Sequence, residues 1–346
     1  MMMISRSVVD FTLDASQEIL TVDSHTAGES TRLILQGVGP VPGRTMAEKL
    51  ANFKRDFDHV RCLLTQEPRG GSGVLAAMVT EGVSKGADFG LIYMDAKRYP
   101  YLCGHATMGA VATLVRTGIL KVVDGENPIT IDTPSGPMTS TAFVRDQKVT
   151  SVAVTMVPAF VHSTSNTIEV PGFGPLSVDL VYAGGFFAMV SSGDTGMDLG
   201  VENKKQLTDL GMEIIDAAND QLEVRHPLRS DVSTVDVAEF YDPHLHEIME
   251  GRNVVIYGES HMDRSPCGTG TTAKLALLHH YGKINVNQAL TNYSPLNTAF
   301  EGEIVHLTRV GEFDAVVVRI RGNAQITGVH RFMVDPDDPF QQGFML

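Results

Sequence analysis

Two stretches of this chain, 164 residues apart, follow one plan. Cys103-Gly104-His105-Ala106-Thr107 runs on to Gly118, and Cys267-Gly268-Thr269-Gly270-Thr271 runs on to Gly282. With the cysteines in register, Cys103/Cys267, Gly104/Gly268, Thr107/Thr271, Ala112/Ala276, Leu114/Leu278 and Gly118/Gly282 are identical. Six matches in sixteen positions is well above chance. Met108, Val111, Ala112 and Val115 recur at i, i+3, i+4 and i+7, so the first copy reads as a helix. The terminal glycines share one offset, as two helix C-caps would. A period this long is no solenoid repeat. It implies two similar domains, each with a cysteine at a helix start. The midpoint falls in Tyr182-Ala183-Gly184-Gly185-Phe186. The expected domains are therefore 18–183, carrying Cys103, and 184–327, carrying Cys267. The tail from about 328 to 346 is expected to pack back on the first domain.

Elsewhere strand-like runs dominate: Ile19–Val22, Thr31–Leu35, Leu91–Met94, Thr150–Met156, Val235–Phe240, Val254–Tyr257 and Ala315–Ile320. Turn signals at Pro134-Ser135-Gly136-Pro137 and Gly172-Phe173-Gly174-Pro175 separate them. Leu207, Leu210, Ile214 and Ala217 mark a further helix over about Glu202–Glu223. The alternation is not a regular βαβ series, so the reading is α+β with mixed or antiparallel sheets, not a doubly wound fold.

The chain has 346 residues, enough for roughly two domains of about 150 residues each. Lysine and arginine number 27 against 41 acidic residues, a formal charge of −14. Such a chain binds nucleic acid or anionic membrane poorly. No apolar run approaches the ~18 residues of a membrane span, and Met1 to Gln17 lacks the pattern of a signal peptide. A cytoplasmic enzyme is the expected class.

Three cysteines with no Cys-x-x-Cys pair exclude a disulfide framework and a structural zinc site. Cys62, in the strand-like run Val60–Leu64, reads as a small buried hydrophobe. Cys103 and Cys267 differ, because a helix N-terminus offers free N–H groups and a positive dipole end. These stabilise a thiolate and can hold a carboxylate. Two such starts facing one another would place a sulfur on either side of one small acid. One thiolate and one thiol could then remove a proton from one face of a carbon and return one on the other. His244-Leu245-His246-Glu247 looks like a fragment of a metal site without a third ligand. Gly70-Gly71-Ser72-Gly73 lacks the pattern of a phosphate loop. His279-His280 ends a helix, where imidazolium suits the dipole.

Met262-Asp263-Arg264-Ser265-Pro266-Cys267-Gly268-Thr269-Gly270-Thr271 resembles the second catalytic motif of the proline racemase family. Leu102-Cys103-Gly104-His105 resembles its first, and Asp23-Ser24-His25-Thr26-Ala27-Gly28-Glu29 its N-terminal signature. Glu67-Pro68-Arg69-Gly70, Ile326-Thr327-Gly328 and Asp335 to Pro339 also fit, so the resemblance covers about residues 18 to 346. It implies a diaminopimelate-epimerase-like fold: two pseudo-symmetric domains, each a central helix wrapped by sheet, with the site between them. It also implies a homodimer, no cofactor and no metal. By resemblance Cys103 and Cys267 are the acid/base pair. The N–H groups of Gly104, His105, Gly268 and Thr269 hold the substrate carboxylate, and Asp263 and the His105 side chain contact the ring nitrogen. The implied reaction is inversion at Cα of proline or 4-hydroxyproline. The family's dehydratases, which act on trans-3-hydroxy-L-proline, usually carry threonine where Cys267 stands. That activity, and an inactive imino-acid-binding protein, are the alternative readings. The chain departs from the family at Gly71 and Val74, and at two ring-pocket positions that are commonly phenylalanine, here Leu75 and Tyr257. Leu75 leaves more room and Tyr257 adds a hydroxyl, which makes a substituted ring a plausible substrate.

Overall fold

The computed structural model describes residues 17–242, 249–258 and 260–345, and its strands form two runs with one pairing pattern. The first run is β1 (Gln17–Thr26), β2 (Glu29–Gln36), β3 (Ala76–Thr80), β4 (Phe89–Met94), β5 (Gly125–Thr133), β6 (Gly136–Arg145) and β7 (Lys148–Thr155). Successive pairs are antiparallel, parallel, antiparallel, parallel, antiparallel and antiparallel. Then come β8 (Ala159–Val170), β9 (Gly174–Tyr182), β10 (Phe186–Ser191), β11 (Val235–Tyr241), β12 (Glu250–Tyr257), the short β13 (His261–Met262), β14 (Ala289–Tyr293), β15 (Ala299–Val310), β16 (Phe313–Gly322) and β17 (Ala324–Val334). From β9 to β16, with β13 as a side branch, the same sequence of pairings recurs.

Parallel neighbours need a crossover, usually helical. Helices α1 (Met46–Asp56) and α2 (Asp58–Thr65) join β2 to β3, and α3 (Gly104–Arg116) joins β4 to β5. In the second run a single turn, α4 (Ser192–Thr195), and α5 (Lys204–Gln221) join β10 to β11, while α6 (Gly268–His280) joins β12 to β14. Antiparallel neighbours are joined by the expected turns at 134–135 and 171–173.

One strand of each run comes from the other half of the chain. β8 follows β7 but pairs with β9, and β17 follows β16 but pairs with β1. β8 also pairs with β16, which closes the second run on itself as a barrel. β7 pairs with β16 and joins the two runs. Helix α3 packs on β1, β2, β7 and β17, and α6 packs on β8, β9, β15 and β16. The run Tyr182–Phe186 therefore forms a hairpin turn inside the second run.

Sheet surrounds the two central helices. Every residue from Gly104 to Val115 is buried, as are Gly270 to Leu278. Helices buried on every side belong in a core. Both helices share one apolar core with Leu33, Tyr93, Val154, Phe300 and Val318. Gly118 (φ 74°) and Gly282 (φ 67°) end them in the left-handed conformation, as their offset predicts. Helix α5 buries Leu207, Leu210, Ile214 and Ala217 against the second sheet, as expected.

Cys62 is a correction. It lies in α2, not in a strand, because Val60, Leu63 and Leu64 form one buried helical face. Five residues are too few for periodicity to separate the two readings. Its sulfur is half-buried and meets the Arg61 guanidinium at 3.1 Å. The His244–Glu247 run lies outside the described residues. Among the described residues no helix is long and apolar enough to cross a membrane.

Candidate active site

Each central helix opens with its cysteine. The first backbone bond of α3 runs from Thr107 N–H to Cys103 O (3.0 Å), and that of α6 from Thr271 N–H to Cys267 O (2.8 Å). Gly104, His105, Gly268 and Thr269 lie ahead of these bonds, where helix N–H groups face outward. The two starts meet head to head. A β-carbon on Gly104 would lie 3.6 Å from Gly268 Cα, and one on Gly268 would lie 3.5 Å from Gly104 Cα. Met156 Cε stands beside both positions, at 3.6 and 3.7 Å. A β-carbon at either place would stand at ordinary contact distance, so the two helix ends, and their positive dipole ends, lie side chain to backbone apart.

Cys103 is half-buried and Cys267 buried. Burial pushes both thiols well above the usual range, and the Asp263 carboxylate adds to this. Backbone N–H groups of Ala106 and His105 oppose it at Cys103. The Thr269 hydroxyl (3.3 Å) and the Gly270 N–H (3.4 Å) oppose it at Cys267. His105 Nδ1 lies 3.3 Å from Cys103 Sγ. Its ring is buried, which lowers its pKa and favours neutral imidazole. Cys267 adopts φ 57°, ψ 120°, whereas Cys103 is extended at φ −148°. A non-glycine residue there stores on the order of 1–3 kcal/mol of strain.

The strand–loop–helix passage ahead of Cys267 holds that strained backbone. Asp263 is 2% exposed, and its Oδ1 accepts from Ser265 N–H (2.8 Å) and Ser265 Oγ (2.7 Å). Ser265 Oγ in turn accepts from Cys267 N–H (3.0 Å). Burial, reinforced by Glu29, pushes Asp263 up to about 7. Tyr257, at the end of β12, lies 4.9 Å ring to ring from His261, and burial raises its hydroxyl. Leu75, just before β3, packs half-buried on the core that also receives Cys103 and Tyr257.

Glu29 and Arg264 lie within the family-like motifs without an assigned role, His261 lies outside them, and Gly73 figures in sequence only within the glycine run at 70–73. These residues tie the two halves together across the site. Glu29 Oε1 accepts from Arg264 N–H (3.0 Å) and lies 2.9 Å from His261 Nε2. Arg264 Nη2 donates to Glu29 Oε2 (2.6 Å) and to Gly73 O (2.8 Å). The glycine run at 70–73, set aside as a phosphate loop, is thus an acceptor for Arg264. No local pattern announces bonds between residues 235 apart. Among the described residues no three His, Cys, Asp or Glu side chains cluster as metal ligands.

Residues 21–345 match the family model described as proline racemase. The proline racemase of Clostridioides difficile is 38% identical over 96% of this chain and 99% of its own length. The 4-hydroxyproline 2-epimerase of Streptosporangium roseum is 38% identical over 94% and 97%. Among solved structures, a hydroxyproline epimerase from Agrobacterium vitis with bound trans-4-OH-L-proline superposes with TM-score 0.88 at 28% identity, covering 97% of this chain and 96% of that one.

Proposed function

This chain belongs to the proline racemase family, and from that premise we propose that it inverts Cα of proline or 4-hydroxyproline with Cys103 and Cys267 as the two proton carriers. It is an isomerase, a racemase or epimerase. The observation that carries the two-thiol reading is the head-to-head meeting of two cysteine-opened helices, Gly104 against Gly268. The outward N–H groups of Gly104, His105, Gly268 and Thr269 suit the substrate carboxylate, which would sit where both dipoles are positive. The thiolate takes the Cα proton from one face and the opposed thiol gives one to the other. Inversion leaves the roles exchanged, so the two titrations belong to the pair. Asp263 and His105 would receive the ring nitrogen. A dehydratase reading loses ground because Cys267, not threonine, opens α6.

The pairing pattern supports a diaminopimelate-epimerase-like architecture of two pseudo-symmetric units with the site between them. With strand exchange taken into account, the proposed units are 17–155 with 324–334, and 159–322, beside the sequence-based division at 183/184. Homodimer assembly and a cytoplasmic setting belong to the same proposal and rest on the family and on sequence.

Proton NMR in D₂O on L-proline and, separately, trans-4-hydroxy-L-proline tests the activity. Loss of the Cα signal with growth of the inverted isomer is expected. No exchange with either substrate would overturn the reading. Tyr257 is proposed to meet a ring substituent. Tyr257→Phe should shift the ratio of kcat/KM values toward proline by about 2- to 10-fold, the worth of one hydrogen bond. An unmoved ratio would remove Tyr257 from substrate choice.

A further inference from the structure

The two helix starts are alike, but what lies behind them is not. Behind α6 sits Glu239 of β11, fully buried. Its Oε1 accepts from Asn253 Nδ2 (2.7 Å), while Oε2 has no partner among the described residues. That oxygen lies under the first turn of α6, 2.9 Å from where a β-carbon on Gly270 would stand. Gly270 is the residue whose N–H donates to Cys267 Sγ. One turn further from the sulfur, buried Lys274 donates to Arg252 O (3.1 Å) and Asn292 Oδ1 (3.2 Å). Asn292 Nδ2 closes the network on Asn253 Oδ1 and Thr271 Oγ1, both at 2.9 Å.

The first half lacks this set; there Thr107 Oγ1, the counterpart of Thr271, meets the Tyr93 hydroxyl at 2.6 Å instead. Strand register puts Val79 opposite Leu91 where Glu239 faces Val255. The 164-residue offset puts Phe89 at the place of Asn253 and Ala110 at that of Lys274. Three polar side chains of one half are apolar in the other. In addition, Cys103 has an imidazole nitrogen at 3.3 Å that can donate to a thiolate.

We propose that Glu239 is a positioning residue that makes the two thiols unequal, so that the free protein rests with the thiolate on Cys103 and the proton on Cys267. This rests on the two-thiol reading above. A negative sulfur at Cys267 would face the Glu239 carboxyl through the Gly270 amide, with Lys274 a turn beyond. The other titratable groups facing Cys267 are Asp263 and Tyr257; those facing Cys103 are Glu29, Asp263, His105, Tyr93 and, again, Tyr257. Burial raises Glu239 and lowers Lys274, each to about 8.

Peptide-resolved alkylation by iodoacetamide from about pH 7 to about pH 11.5, a window reaching well above the ordinary thiol range, gives a labelling midpoint for each cysteine, with Cys62 as internal reference. A midpoint, unlike a rate, does not depend on how exposed each sulfur is. Cys103 is expected to label with the lower midpoint. Glu239→Gln keeps the bond to Asn253 and should lower the Cys267 midpoint by about half a pH unit or more, leaving Cys62 unmoved. Equal or reversed midpoints in the natural protein, or an unmoved Cys267 midpoint in Glu239→Gln, would overturn the proposal. A Cys267 that stays unlabelled in both proteins would overturn it too. If Glu239→Gln does not fold, Lys274→Met carries the test in the opposite sense, with the Cys267 midpoint expected to rise and no rise overturning it. Labelling needs no turnover, so absence of racemisation would sink the enzymatic reading and leave this result to stand or fall alone.

Discussion

Serine in place of Cys103 or of Cys267 should cut inversion at Cα by about 10²- to 10⁴-fold, the range expected when one acid/base group is lost. A serine hydroxyl holds its proton far more tightly than a thiol, so it can neither start as the base nor release the proton on demand. The fold should survive, since the change exchanges sulfur for oxygen at the end of a small side chain. Circular dichroism and the melting temperature check that arm. A second readout separates this mechanism from simple damage. With one working thiol, each variant should still exchange the Cα proton of one enantiomer in D₂O without inverting it. The two variants should do so on opposite enantiomers. Full inversion in either variant would end the two-thiol account.

That prediction depends on the part of the molecule that was most legible in sequence. The paired Cys-Gly starts, the apolar faces and the C-capping glycines are local, and local chemistry decides them. The helices lie at Gly104–Arg116 and Gly268–His280, as the repeat requires. Seven of the eight strand-like runs fall in strands, although Met156 lies just past the end of β7, and the eighth, Val60–Leu64, falls in α2. The exchange of β8 and β17 between runs was not legible. The chain simply continues through Met156-Val157-Pro158 and through Asn323, and only sheet pairing decides which run each strand joins. The φ of 57° at Cys267 carries no composition signal either, because the favoured residue there would be glycine or asparagine. It is held by the chain from Asp263 through Ser265 to Cys267 N–H. Glu239 and Lys274 look like ordinary surface residues in sequence, and burial alone makes them unusual.

Glu29→Ala should lower both stability and turnover, because Glu29 is where the first run grips the approach to Cys267. Its carboxylate is 3% exposed, and both oxygens are occupied. Burial works against its charge. The hydrogen bonds from His261 and Arg264 outweigh that and hold it down to about 2. The sign follows from linkage. A carboxylate at about 2 folded and 4.5 unfolded gives stability that is fully present above pH 4.5 and is lost as pH falls from 4.5 toward 2. The size is on the order of 3 kcal/mol. Removing the side chain also strips Arg264 of its carboxylate, but Arg264 is 40% exposed and water recovers part of that loss. The variant should therefore melt several degrees lower at pH 7, and the natural protein's loss of stability below pH 4.5 should flatten. Turnover should fall more than stability explains. Arg264 N–H loses its acceptor, and Arg264 stands between Asp263 and the Ser265–Cys267 link. Asp263 also loses the neighbouring charge that helps raise it, so any pH–rate midpoint that belongs to Asp263 should move down from about 7. Glu29→Gln keeps the shape and two acceptor contacts at most, so it should fall between the two in stability. It should share the flattened acid profile, because that profile depends on the charge. A Glu29→Ala protein with the acid profile and the turnover of the natural one would show that the bond across the site is incidental, and that Cys267 is held by its own segment alone.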